Sequence, residues 1–95
     1  MKLAWSNLAK QELSELRRFS IERWGRVVAV RYLEDIRDAA KRIAADPKLA
    51  RPLRGGLRIR RVRSHYLIVH VDENAGRLTV SRVLHSAMDI ERHLD

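Results

Sequence analysis

Arg58, Arg60, Arg61, Arg63 and Arg82 lie close in sequence to His65 and His85. Cleaving a phosphodiester without a metal needs a group to activate the 2′-hydroxyl, a cation on the phosphate and a donor for the leaving oxygen. These arginines can hold the phosphate, and either histidine can act as base or acid. The same cations can equally grip the carboxylates of an acidic protein segment. Strand alternation sends Arg61 and Arg63 to one face and Arg58 and Arg60 to the other, so about half of them can converge on one site. No carboxylate stands among them to serve as a base.

Quieter readings fit the same residues. His85 can hydrogen-bond backbone where the last strand enters the tail, and His70, between two valines, suits a sheet surface. Arginines 58–63 can form a solvated edge that discourages strand-to-strand aggregation. The four histidines, His65, His70, His85 and His93, lack the i,i+4 pairing with which a helix presents two ligands, so no metal site is expected. Cysteine is absent, which excludes disulfides and thiolate chemistry. No cofactor is implied.

Charge is concentrated. Residues 47–71 hold seven Lys or Arg and no acid, leaving 13 basic against 12 acidic residues in the remainder of a chain of net charge +8. Such a balance favours polyanions or an acidic partner. Ninety-five residues suit one domain, residues 1–95, with one modest core. No apolar run nears the length of a membrane span, and the start lacks a signal-like apolar core, so a soluble cytoplasmic protein is expected.

The elements that must position these residues follow from periodicity. Residues 2–5 alternate like a short strand, and Ser6 is placed to cap a helix. Ala9, Leu13, Leu16 and Trp24 fall at helical intervals over 7–24, with Phe19 beside the stripe. Gly25 suits a helix end. Ala29, Leu33, Ile36, Ala40 and Ile43, spaced 4, 3, 4, 3, mark a second amphipathic helix over 26–45, and the two form an antiparallel hairpin. Asp46-Pro47 stops it. A loop with Pro52 and Gly55-Gly56 follows, then strands at 57–63, 66–72 and 77–84, the middle one central.

The last strand is expected to put Leu78, Val80, Arg82 and Leu84 on one face. Residues 72–76 form a hairpin turn, Arg63-Ser64 a second tight turn, and 86–94 a short helix. Trp5 and Trp24 are expected as core anchors at the sheet–helix junction. The fold class is α+β, in the order β-α-α-β-β-β-α: a helical hairpin packed on a small, mostly antiparallel, twisted sheet.

This order of elements carries familiar motifs: Trp5-Ser6 with Ala9 and Leu13, the Trp24-Gly25 corner, Asp46-Pro47, Gly56-Leu57-Arg58, and Arg82-Val83-Leu84-His85 followed by Met88-Asp89. Together they resemble the RelE/ParE superfamily of toxins from type II toxin–antitoxin systems, with the ParE branch the closer match. The resemblance implies a toxin held in a hetero-oligomer by a cognate antitoxin, ParD-like or RelB-like. Its ParE branch implies inhibition of DNA gyrase by protein–protein binding, with Arg58, Arg60, Arg63, Arg82 and His85 as the surface for target or antitoxin and no catalytic residue. The antitoxin would also lie along the hairpin, at residues the sequence does not single out.

The RelE branch implies the alternative, a ribosome-dependent mRNA endoribonuclease using Arg82, His85, Arg61 and His65. That branch typically has a catalytic Tyr or His at the end of the last strand. His85 is near that place, but no tyrosine follows it; the tyrosines are Tyr32 and Tyr66.

Overall fold

Both apolar stripes become helices whose ends are set by their capping residues. The computed structural model describes residues 1–94, so Asp95, the last residue of the expected domain, lies outside it. The elements are β1 (Lys2–Trp5), α1 (Asn7–Trp24), α2 (Arg26–Ala45), β2 (Arg51–Arg54), β3 (Leu57–Val62), β4 (His65–Asp72) and β5 (Arg77–His85). Single 3-10 turns occupy Pro47–Leu49 and Ile90–His93. Ser6 Oγ accepts from the Ala9 N–H at 3.0 Å, satisfying one free donor of α1's first turn. Gly25 both ends α1 and starts α2, at φ 87 and ψ 170. A side chain would strain that backbone, and this lets the hairpin reverse on one residue.

The sheet has strand order β1-β5-β4-β3-β2, with β1 parallel to β5 and every other pair antiparallel. Leu67 and Val69 of central β4 meet Leu33, Ile36, Ala40 and Ile43 of α2 and Ala9, Leu13 and Leu16 of α1 in the main core. A fully buried Leu or Ile such as Leu67 or Ile36 contributes roughly 1.5–3 kcal/mol. On the opposite face Ile59, Ile68 and Leu84 form a smaller cluster, covered in part by Ile90 and Leu94 of the tail.

Four details depart from the sequence reading. Residues 51–54, expected as loop, form β2, because Gly55-Gly56 folds them back onto β3 as an edge strand where Pro52 is tolerated. The tail makes one 3-10 turn in place of a short helix; Ile90 and Leu94 serve the sheet's far face. Trp24 is not a core anchor. It closes the last turn of α1, stacks on Tyr32 at 6.2 Å and remains 47% exposed.

The fourth departure matters most for the site. Ile68 pairs with Arg82 but Val69 with Val80, so Ser81 is an extra, bulged residue. Its hydroxyl donates to the Ile68 carbonyl at 3.0 Å. The bulge reverses alternation beyond it: Val83 and His85 join the helix-covered face, while Arg82 and Leu84 turn to the far face.

Candidate functional surface

The basic strands can be built outward from these pairings. Arg58 and Arg60 sit opposite Val69 and Leu67 and so share the helix-covered face. Arg58 Nη1 donates to the Ala50 carbonyl at 2.8 Å, and Arg60 Nη1 to the Leu49 carbonyl at 3.2 Å. They fasten the segment after α2 to the sheet. Arg61, opposite Tyr66, is on the far face; its Nε donates to the Arg63 carbonyl at 2.9 Å, and its guanidinium lies 5.9 Å from the Tyr66 ring centre.

Alternation fails for Arg63, because it belongs to the two-residue turn between β3 and β4 and has φ 55. That left-handed backbone is uncommon for a residue with a side chain. It carries the guanidinium back to α2, where Nε and Nη2 reach Asp35 Oδ2 at 2.7 and 2.6 Å, 5.1 Å from the Tyr32 ring centre. This pair is about half exposed and contributes at most about 1 kcal/mol.

Arg82 is held more deeply. Its Nε is 3.2 Å from both Glu12 oxygens, Nη2 is 2.9 Å from Oε2, and Nη1 donates to the His93 carbonyl at 2.8 Å. Only 20% of the Arg82 side chain and 14% of the Glu12 side chain are exposed. Glu12 Oε1 also accepts from the Val83 N–H at 2.9 Å, on the part of β5 that β1 does not reach. Glu12 thus satisfies both an edge-strand donor and a half-buried cation, tying α1 to β5, while Arg82 ties β5 to the tail. Its place in the sequence gave a signal: it shares the Ala9, Leu13, Leu16 stripe, where a carboxylate needs a partner.

The structure brings His65 and His85 together. They pair across β4 and β5, with ring centres 5.1 Å apart. Both rings are held through Nδ1. Tyr32 Oη lies 2.7 Å from His65 Nδ1 and accepts from the Ser64 N–H at 3.1 Å. The Ala87 N–H donates to His85 Nδ1 at 3.0 Å, the backbone role expected of this residue. In its neutral form the His85 ring therefore carries its proton on Nε2. Burial, and then His85 beside it, push His65 down from 6.5 to about 4.

Near neutral pH His65 is thus uncharged. The Nδ1 atom of each ring is already engaged within the chain. The pair lines a groove with Glu12, Glu15, Leu16, Phe19, Val83 and Met88, without an arginine. The four residues of the ribonuclease alternative are divided by the sheet, His65 and His85 on one face and Arg61 and Arg82 on the other. His70, on the far face, and His93, in the tail, stand apart from the pair.

The sequence reading assigned no functional role to Tyr32, Glu12 or the hairpin corner, whose Trp24-Gly25 served only as a family motif. At that corner Phe19, Trp24, Val27, Val28 and Val30 are exposed, Val27 to 72%. The signal was local composition: residues 17–31 contain five arginines and one glutamate.

Comparison with known proteins agrees with this architecture. Residues 3–90 match the family described as ParE toxin of type II toxin-antitoxin system, parDE. The chain is 36% identical over 92 residues to Toxin ParE1 of Mycobacterium tuberculosis, in two strains, covering 94% of this chain and 93% of that protein. In fold it is similar to a chain of the chromosomal ParDE toxin–antitoxin system from P. aeruginosa. The TM-score there is 0.78 at 18% identity, over 90% of this chain and 95% of that one. It is also similar to the YoeB/ParE toxin from Agrobacterium tumefaciens, with TM-score 0.67 and 22% identity over 90% and 98% of the two chains.

Proposed function

The chain belongs to the ParE toxin family of type II toxin–antitoxin systems, and we propose that it inhibits DNA gyrase by binding it, is neutralised by a ParD-like antitoxin and works in the cytoplasm. The observation that carries the non-catalytic part of this reading is the separation of Arg61 and Arg82 from His65 and His85 by the sheet. A metal-free ribonuclease needs cation, base and acid around one phosphate. Here Arg82 is engaged by Glu12, and the Nδ1 atoms of both histidines are engaged by Tyr32 and by the Ala87 N–H.

Of the five proposed surface residues, Arg60, Arg63 and His85 are exposed, while Arg58 and Arg82 are half-buried. An acidic antitoxin segment would engage the exposed three, with its apolar residues along the helical hairpin. Reversing Arg60 and Arg63 to glutamate is expected to weaken antitoxin binding and to reduce its salt dependence. Unchanged affinity at low and high salt would contradict electrostatic docking. Among the described residues no helix is long and apolar enough to cross a membrane.

The second reading, a ribosome-dependent endoribonuclease, has one observation in its favour, the His65–His85 contact with Tyr32 behind it. A supercoiling assay with purified gyrase, run beside mRNA cleavage on ribosomes, separates the two. Lost supercoiling or accumulating cleaved DNA, with mRNA intact, is the expected result. Transcript cleavage with gyrase untouched would reverse the assignment.

A further inference from the structure

The arginines of this protein differ in what they already hold. Arg58, Arg60, Arg61, Arg63 and Arg82 all donate to groups of their own chain. At the hairpin corner, Arg17, Arg18, Arg26 and Arg31 make no ion pair or hydrogen bond with any described residue, and Arg23 lies 6.0 Å from the Phe19 ring centre. α2 begins beside them with no acidic residue in its first turn, so its helix dipole adds to the positive potential.

The same corner exposes apolar surface. Five of the nine exposed large hydrophobic residues described are Phe19, Trp24, Val27, Val28 and Val30. A cleft of about 450 Å³ opens between Trp24, Val28 and Tyr32 on the hairpin and Arg63 and Ser64 on the β3–β4 turn. A second depression lies among Arg26, Val27, Val30, Arg31 and Glu34. Both hollows set apolar side chains beside arginines, Arg63 held by Asp35 in the first and Arg26 and Arg31 in the second, and aromatic and arginine side chains dominate binding hot spots.

We infer that the hairpin corner, residues 19–31, is the surface that grips the protein target, and that the target segment is acidic and inserts a bulky apolar side chain beside Trp24. This rests on the reading that the chain inhibits gyrase by binding. Charge complementarity selects the occupant: a second copy would oppose one arginine-rich corner to another, whereas an acidic segment neutralises Arg26 and Arg31 while its apolar residue fills the cleft. An antitoxin lying along the hairpin would cover this surface and so exclude the target.

The test is the concentration of toxin needed to inhibit purified gyrase. Trp24→Ala is expected to raise it by at least about thirty-fold, as hot-spot truncations do. Since Trp24 also packs on Tyr32, the exposed pair Arg26→Glu with Arg31→Glu provides an independent variant. It is expected to raise the concentration about tenfold at low salt and less at high salt. Arg37→Glu with Lys41→Glu, an equal charge change farther along α2, is expected to have little effect.

Corner variants that inhibit like the parent would overturn the inference and leave the gyrase reading standing. So would corner variants that keep full inhibition while losing only binding to anionic vesicles or RNA. A parent chain that leaves gyrase untouched would overturn both.

Discussion

The basic strands and the hairpin corner carry the same kind of side chain to different ends. Arg58 and Arg82 are half-buried and bonded to carbonyls or to Glu12, whereas Arg26 and Arg31 are exposed and free among the described residues. Density of charge along a sequence is therefore a poor guide to charge available for a partner. In the strands much of it holds loops, helix and tail to the sheet; in the corner it faces solvent beside apolar residues. That contrast can be broken or sharpened by experiment.

The largest effect is expected at Arg82. Arg82→Ala, or Glu12→Ala, leaves a half-buried charge without its partner and should cost about 3 kcal/mol in urea unfolding. That is a large share of the stability of a domain this size. A loss below 0.5 kcal/mol, the size of an ordinary surface change (roughly), would mean that Arg82 does not fasten the fold.

Acid should act on the same end of the sheet. His65 binds its proton more weakly in the folded protein, at about 4 against 6.5. Between these values the unfolded chain takes up more protons, so folding is favoured above pH 6.5 and loses that advantage as pH falls towards 4. His65→Gln should flatten this part of the stability–pH curve. An unchanged slope would show that His65 is not the group responsible.

Gly25→Ala is expected to cost about 1–3 kcal/mol through backbone strain, since nothing lies within 4 Å of the added methyl group. Thermal unfolding would read that loss, and a neutral result would mean that the corner tolerates another backbone path. Ser20→Ala should stabilise by about 1 kcal/mol, because the fully buried hydroxyl has no hydrogen-bond partner among the described residues. Smallest of all, Arg26→Ala and Arg31→Ala should stay within about 0.5 kcal/mol of the parent. Destabilisation as large as that of Arg82→Ala would erase the distinction between the two regions.

How legible each region was in the sequence has physical reasons. The α2 stripe was read in full, because Ala29, Leu33, Ile36, Ala40 and Ile43 are buried by one continuous face. Strand β2 was missed since Arg51-Pro52-Leu53-Arg54 has little strand propensity; pairing with β3 supplies the structure. Alternation could not reveal the Ser81 bulge, which depends on register against Ile68 and Val69. It therefore placed Arg82 and Leu84 on the face of Leu78 and Val80, whereas they lie on the opposite one. Trp24 fell at a helical interval, but interval alone does not tell whether the last turn is covered.

Side-chain oxidation by hydroxyl radicals, followed by mass spectrometry, of the protein with and without purified gyrase tests the contact surface most directly. Phe19 and Trp24 are exposed in the free chain, and so is Met1, whose amine donates to the Ala44 carbonyl at the other end of α2. The expected result is a several-fold fall in oxidation of Phe19 and Trp24 on gyrase binding, with Met1 unchanged. Equal labelling of Trp24 in the free and bound protein, with protection confined to Met88 or Tyr66, would contradict a target grip built on the hairpin corner.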